Sequence, residues 1–181
     1  AVLIPLGGLC KASLKMIVAL QQQPIAWLEN LLFILMAPGF VAMSFSLFYA
    51  RRAWQTGVAP QSARYPGTHL ALWLALPLAG GLAAALLSPQ TRLWFFWLLG
   101  VTTVANVTLI THAILASRWS GLGWPVVACF VYNFAATLTL SALSRLPASE
   151  LTAWVQEGVN LSAQSALTLG LWQLARRMQE K

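Results

Sequence analysis

Apolar residues gather along this chain in five long runs, at residues 25–50, 69–87, 93–116, 125–143 and 151–175, with the first four strong and the fifth weaker. Each is near or above the ~20 residues that a helix needs to cross a bilayer core. The pattern predicts an all-α, polytopic transmembrane helical bundle with about five membrane-spanning helices. It predicts one integral-membrane domain over residues 1–181: an interfacial segment at 1–23, the helical bundle at 25–175 and a basic tail at 176–181.

Local patterns refine this layout. Lys11 and Lys15 stand one helical turn apart among Leu14, Met16, Ile17, Val18 and Leu20. A short helix lying in the interface lets both lysines reach water, whereas a true crossing would bury them. Pro38-Gly39 near the middle of the first run predicts a kink or break. The second run holds Pro77 and a small-residue stretch at 79–85, which predicts close packing on a neighbour or on another subunit. The connections SPQTR, RWSGLGW and SRLPASE are short, so consecutive helices should be antiparallel neighbours. Trp94, Trp97, Trp119, Trp124 and Trp154 lie near the expected helix ends, as an aromatic belt at the headgroup level requires.

The fifth run carries Gln156, Glu157, Asn160, Gln164 and Gln173. A spanning helix with a polar inner face and a helix lying on the surface both fit it. The apolar stretch 167–174 favours spanning.

Composition supports the membrane reading. The chain is 59% hydrophobic and 8% charged, with a mean hydropathy of +0.70, whereas soluble domains carry roughly 25% charged residues. It has no Asp and four Glu, which removes Asp dyads, EF-hands and Ser–His–Asp triads. The net charge of +7 and pI of about 10.3 would suggest nucleic acid in a soluble protein. Here the basic residues lie between apolar runs, where membrane lipids and the positive-inside rule account for them, so no nucleic-acid partner is expected. With five crossings, Arg51, Arg52, Arg64, Arg118, Arg176, Arg177 and Lys181 fall on one side, and Lys11, Lys15, Arg92 and Arg145 on the other. That bias puts the N-terminus outside and the C-terminus in the cytoplasm, and fits a bacterial inner membrane. If the fifth run does not cross, the orientation inverts. Cys10 and Cys129 supply no disulfide framework, and Cys129 reads as a small buried hydrophobe. Gly121-Leu122-Gly123 reads as a turn rather than a phosphate loop, since no Lys follows it.

Polar groups inside apolar runs are the candidate chemistry. Glu29 and Asn30 sit a turn into the first run. Asn106 follows Thr102 by four residues in the third, and Cys129, Asn133, Thr137 and Ser141 recur every four in the fourth. Glu157, Asn160, Gln164 and Thr168 share one face of the fifth. If these faces converge, they line a polar interior suited to a proton, a small cation or a neutral polar solute. The competing reading is interhelical hydrogen bonding with no transport role. His69 and His112 are the only histidines, and on antiparallel neighbours they approach the same membrane face. They are ordinary interfacial histidines, or ligands of a metal or of haem b. No motif names a reaction, so an enzyme is not the favoured expectation. The partners expected are membrane lipids and either further copies of this chain in a homo-oligomer or a larger membrane complex. Three functional expectations follow: transport or conduction of a small polar solute or cation, a non-catalytic subunit or anchor of a larger membrane complex, and haem b electron transfer through His69 and His112.

Overall fold

The computed structural model describes residues 26–57, 67–88, 90–143, 146 and 149–180, together with Ile4, Leu6, Gly8, Leu9, Cys10, Ser13, Leu14 and Ile17; for residues 26–30 it describes the backbone. Five long helices result: α1 (Ala26–Gln55), α2 (Gly67–Leu87), α3 (Leu93–Trp119), α4 (Trp124–Leu143) and α5 (Glu150–Gln179). Among the described residues there is no strand. The eight described residues near the N-terminus are helical, while Lys11 and Lys15, on which the interfacial expectation rests, lie outside the described residues.

Four of these helices are long and apolar enough to cross a membrane: Leu31–Gln55 of α1, then α2, α3 and α4. The fold is helical because each apolar run satisfies its own backbone through i→i−4 bonds, which lipid cannot do for it. Helix α1 continues through Pro38 without a break, although Pro38 cannot donate a bond. Ala37 and Phe40 beside it are buried, so packing holds this stretch. Glycines stop two of the helices. Gly57 ends α1 at φ 73° and Gly121 ends α3 at the same φ, with Leu122 N–H donating to Ser117 O and Gly121 N–H to Arg118 O. That pair of bonds is a Schellman stop, and its left-handed residue favours glycine. At the start of α5, Ser149 Oγ accepts from the Thr152 N–H and caps the helix.

The chain divides into two compact units: Ala1–Tyr49 with Arg64–Leu109, and Ala50–Ala63 with Ile110–Lys181. In the first unit, α1 and α3 run parallel. The Phe33 and Phe95 rings meet edge to face at 4.8 Å, and Ser44 Oγ donates to Ala105 O at 2.6 Å. Phe40, Ala105 and Leu109 form the core between them, with Met36, Val41, Met43 and Leu47 packed around it. Helix α2 buries only Pro77 and Gly81. Trp97 Nε1 donates to Pro77 O at 3.0 Å, and a Cβ on Gly80 would fall 2.6 Å from the Trp97 ring. The small-residue stretch is therefore a seat for an aromatic residue of the same chain, and Trp97 ties two helices together. The rest of α2 exposes Leu72, Trp73, Leu76, Leu82 and Leu86, an apolar surface that suits acyl chains.

In the second unit, α4 and α5 form an antiparallel hairpin. Its rungs are Gln156 Nε2 to Leu143 O at 3.2 Å, Asn133 Nδ2 to Ala163 O at 3.0 Å, Gly170 against the Phe130 ring, and Arg177 Nε to Ser120 O at 3.4 Å. Ala163, Leu167, Gly170, Leu174 and Met178 form the buried stripe of α5. Their three- and four-residue spacing keeps them on one helical face. The rungs run from one end of α4 to the other, so α5 accompanies α4 over its whole length.

Gly80→Leu should drive Trp97 off Pro77 and lower the midpoint of thermal unfolding in detergent, at a cost of about 1–3 kcal/mol. Gly100→Leu, at a glycine with open space around it, should leave that midpoint unchanged.

Candidate functional site: the polar face of α5

The intramembrane polar residues separate into two groups. One group is used in helix packing. Asn133 is 2% exposed and its amide holds Ala163 O. Ser44 holds Ala105 O. Thr102, Thr103, Thr108, Thr137 and Thr139 each donate to the carbonyl four residues earlier, the usual way for a hydroxyl to be satisfied within its own helix. Asn106 is buried at 7% exposure on α3 of the first unit, one turn after Thr102. The four-residue pattern of α4 does not form one interior stripe: Asn133 is buried, Cys129 is half-buried and Ser141 is exposed.

The second group lies beside the buried stripe of α5 rather than within it. Glu157, Asn160 and Gln164 are half-buried on α5 and Thr168 is exposed. At 3.6 residues per turn, this stripe is rotated by about a quarter turn from the buried one. It opens into a groove of about 540 Å³ lined by Gln164, Ser165, Thr168, Leu169 and Trp172. One carboxylate, two carboxamides and two hydroxyls thus lie along a single face. These are hard oxygen and amide groups, able to replace the hydration of a small cation or to hydrogen-bond a neutral polar solute. Asn106 and Asn133 fall in different units, and the side chains of Glu29 and Asn30 lie outside those described.

His69 and His112 also fall in different units. His69 is exposed in the first turn of α2, with Nδ1 3.4 Å from Tyr49 Oη. His112 Nδ1 lies 3.0 Å from Arg51 Nη1. A guanidinium can only donate, so Nδ1 accepts and the ring proton sits on Nε2. Iron ligation by His112 would require that proton, or the Arg51 contact, to be given up. Among the described residues, no three His, Cys, Asp or Glu side chains gather as a metal site.

Sequence reasoning missed the Arg51–His112 contact, the Ser44–Ala105 bond and the Trp97–Pro77 bond. Arg51 counted only as a topogenic charge, and nothing in the runs announces the register of two parallel helices. The proline and glycines of α2 were the one readable sign that a large side chain would seat there.

Comparison with known protein families, characterised proteins and solved structures finds no match to this chain. The fold itself gives the class: four long apolar helices and a wide exposed apolar surface define an integral membrane protein.

Asn133→Ala should weaken the α4–α5 hairpin by about 0.6 kcal/mol and by no more than about 1.7, measured as loss of resistance to unfolding by denaturing detergent. Thr139→Ala, which removes only an exposed bond within α4, should change nothing measurable.

Proposed function

We propose that this chain is a five-crossing protein of a bacterial inner membrane that moves a small polar solute or cation along the polar face of α5. Support for the fifth crossing comes from the hairpin. A helix bonded to α4 from Leu143 to Ser120 covers the same depth that α4 covers. With α5 spanning, the charge bias gives an outside N-terminus and a cytoplasmic C-terminus.

One observation carries the functional reading: α5 keeps Glu157, Asn160, Gln164 and Thr168 beside, rather than within, its packed stripe. Polar side chains at membrane depth persist where they face protein or a water-lined passage. In this mechanism, amide and hydroxyl oxygens replace hydration stepwise, and Glu157 supplies the charge that selects a cation or couples a proton. In proteoliposomes, Glu157→Gln should abolish flux while leaving the unfolding midpoint within error. Asn133→Ala should show the opposite pattern. Unchanged flux in Glu157→Gln removes that carboxylate from the mechanism.

A second reading, a non-catalytic subunit of a larger membrane complex, is favoured by the use of Ser44, Thr102, Ser120 and Asn133 for holding carbonyls of the same chain. In that case the polar face of α5 is covered by a partner helix. Extraction from its own membrane in mild detergent should then yield stoichiometric partners, and a clean monomer or homo-oligomer would count against this reading.

A further inference from the structure

The end of the second unit where α3 passes into α4 is basic. Arg52 lies in the last turn of α1, Arg118 in that of α3, and Arg176 and Arg177 in that of α5. Contacts fix two of these helix ends on α3 and its turn. Arg51 reaches His112 at 3.0 Å and lies over the Trp119 ring at 4.9 Å, while Arg177 reaches Ser120 O at 3.4 Å. Among the described residues, the ion pairs here are those of Arg176 and Arg177 with Glu180, at 3.3 and 3.4 Å. Arg51, Arg52 and Arg118 have no carboxylate partner among those residues.

We propose that Arg51, Arg118 and Trp119 form a binding site for the phosphate of an anionic phospholipid headgroup. Arg51 is the anchor. His112 and the Trp119 ring already restrain its guanidinium, so little side-chain freedom is lost when a ligand arrives. Its remaining N–H groups have no acceptor among the described residues, and their fork matches two phosphate oxygens. Arg118 is exposed beside Trp119 and supplies the second charge.

The surroundings select a lipid over a free anion. This is the end of a helix of membrane length, and Trp119 and Trp124 are exposed at it, as residues at headgroup level are. One turn into the membrane from Arg118, Leu115 is 37% exposed on the same helical face. An acyl chain gains from lying on that face, and inorganic phosphate does not. The proposal rests on the membrane assignment and is independent of the solute path along α5.

The test uses the full chain in neutral detergent. Native mass spectrometry and thermal unfolding are followed with phosphatidylglycerol, phosphatidylcholine or inorganic phosphate added. Phosphatidylglycerol should remain bound and raise the unfolding midpoint, and the other two should not. Arg51→Gln and Arg118→Gln should each weaken phosphatidylglycerol binding about fivefold, the effect of removing one juxtamembrane charge. Arg92→Gln, in the α2–α3 connection, should leave binding intact. Equal loss in Arg92→Gln would reveal diffuse charge attraction and overturn the site. A shift produced equally by phosphatidylcholine would overturn it as well. Reproduction of the shift by inorganic phosphate would replace the lipid with a soluble anion. If Arg51→Gln does not fold, the exposed Arg118→Gln decides alone, and undiminished binding there ends the proposal.

Discussion

A polar atom that leaves water for hydrocarbon must find its hydrogen-bond partner in protein, and the rest of this structure depends on that constraint. It explains why every long element is a helix, and why the threonine hydroxyls of α3 and α4 fold back on their own carbonyls. It also explains why the side chains that bridge helices so often bond to backbone. Ser44, Trp97 and Asn133 each donate to a carbonyl of a neighbouring helix. Such a bond adds well under 2 kcal/mol in a membrane, because the separated helix also finds partners. Its larger effect is to fix register: of the possible sliding positions of α5 on α4, few bring Ala163 O to the Asn133 amide.

Close approach comes from small residues in both units, by different routes. In the first, Gly80 and Gly81 leave space that Trp97 and Leu98 fill. In the second, Gly170 admits the Phe130 ring, since a Cβ there would lie 2.9 Å from it. Without water between helices, contact area and dispersion decide association, and a glycine opposite an aromatic ring gives much of both. This arrangement leaves little demand for a large buried core, which is consistent with the many leucines and tryptophans that remain on the surface.

The membrane class and four of its long apolar helices were legible in the sequence because run length is compared with a fixed bilayer thickness. The runs at 69–87 and 125–143 match α2 and α4 to within two residues at either end. The turn at Gly121 was legible from its glycines, whereas the first apolar run ends at residue 50 and α1 continues past it to Gln55, through Arg51 and Arg52. Which polar residue does what was not legible, because helical periodicity says which residues share a face and not what the face meets. Asn133 and Asn160 looked alike in the sequence, yet the first is locked to Ala163 O and the second lies on the half-buried flank. Of the kink or break expected at Pro38, no break occurs, because a missing donor removes one bond while the buried neighbours Ala37 and Phe40 hold the remainder.

Helix α5 shows how far packing can substitute for hydrophobicity. It is the least apolar of the five and falls outside the set that qualifies to cross on composition. Alone, its Glu157, Asn160 and Gln164 would make insertion costly. Paired with α4, it contributes a stripe of Ala163, Leu167, Gly170 and Leu174, and its side chains donate to backbone carbonyls at both ends of the hairpin. The proposed crossing is therefore a property of the hairpin rather than of the helix. A hairpin can retain a polar face on its second member because the first has already supplied the apolar surface. That face carries Glu157, Asn160, Gln164 and Thr168 beside the packed stripe, and the proposed solute path follows it.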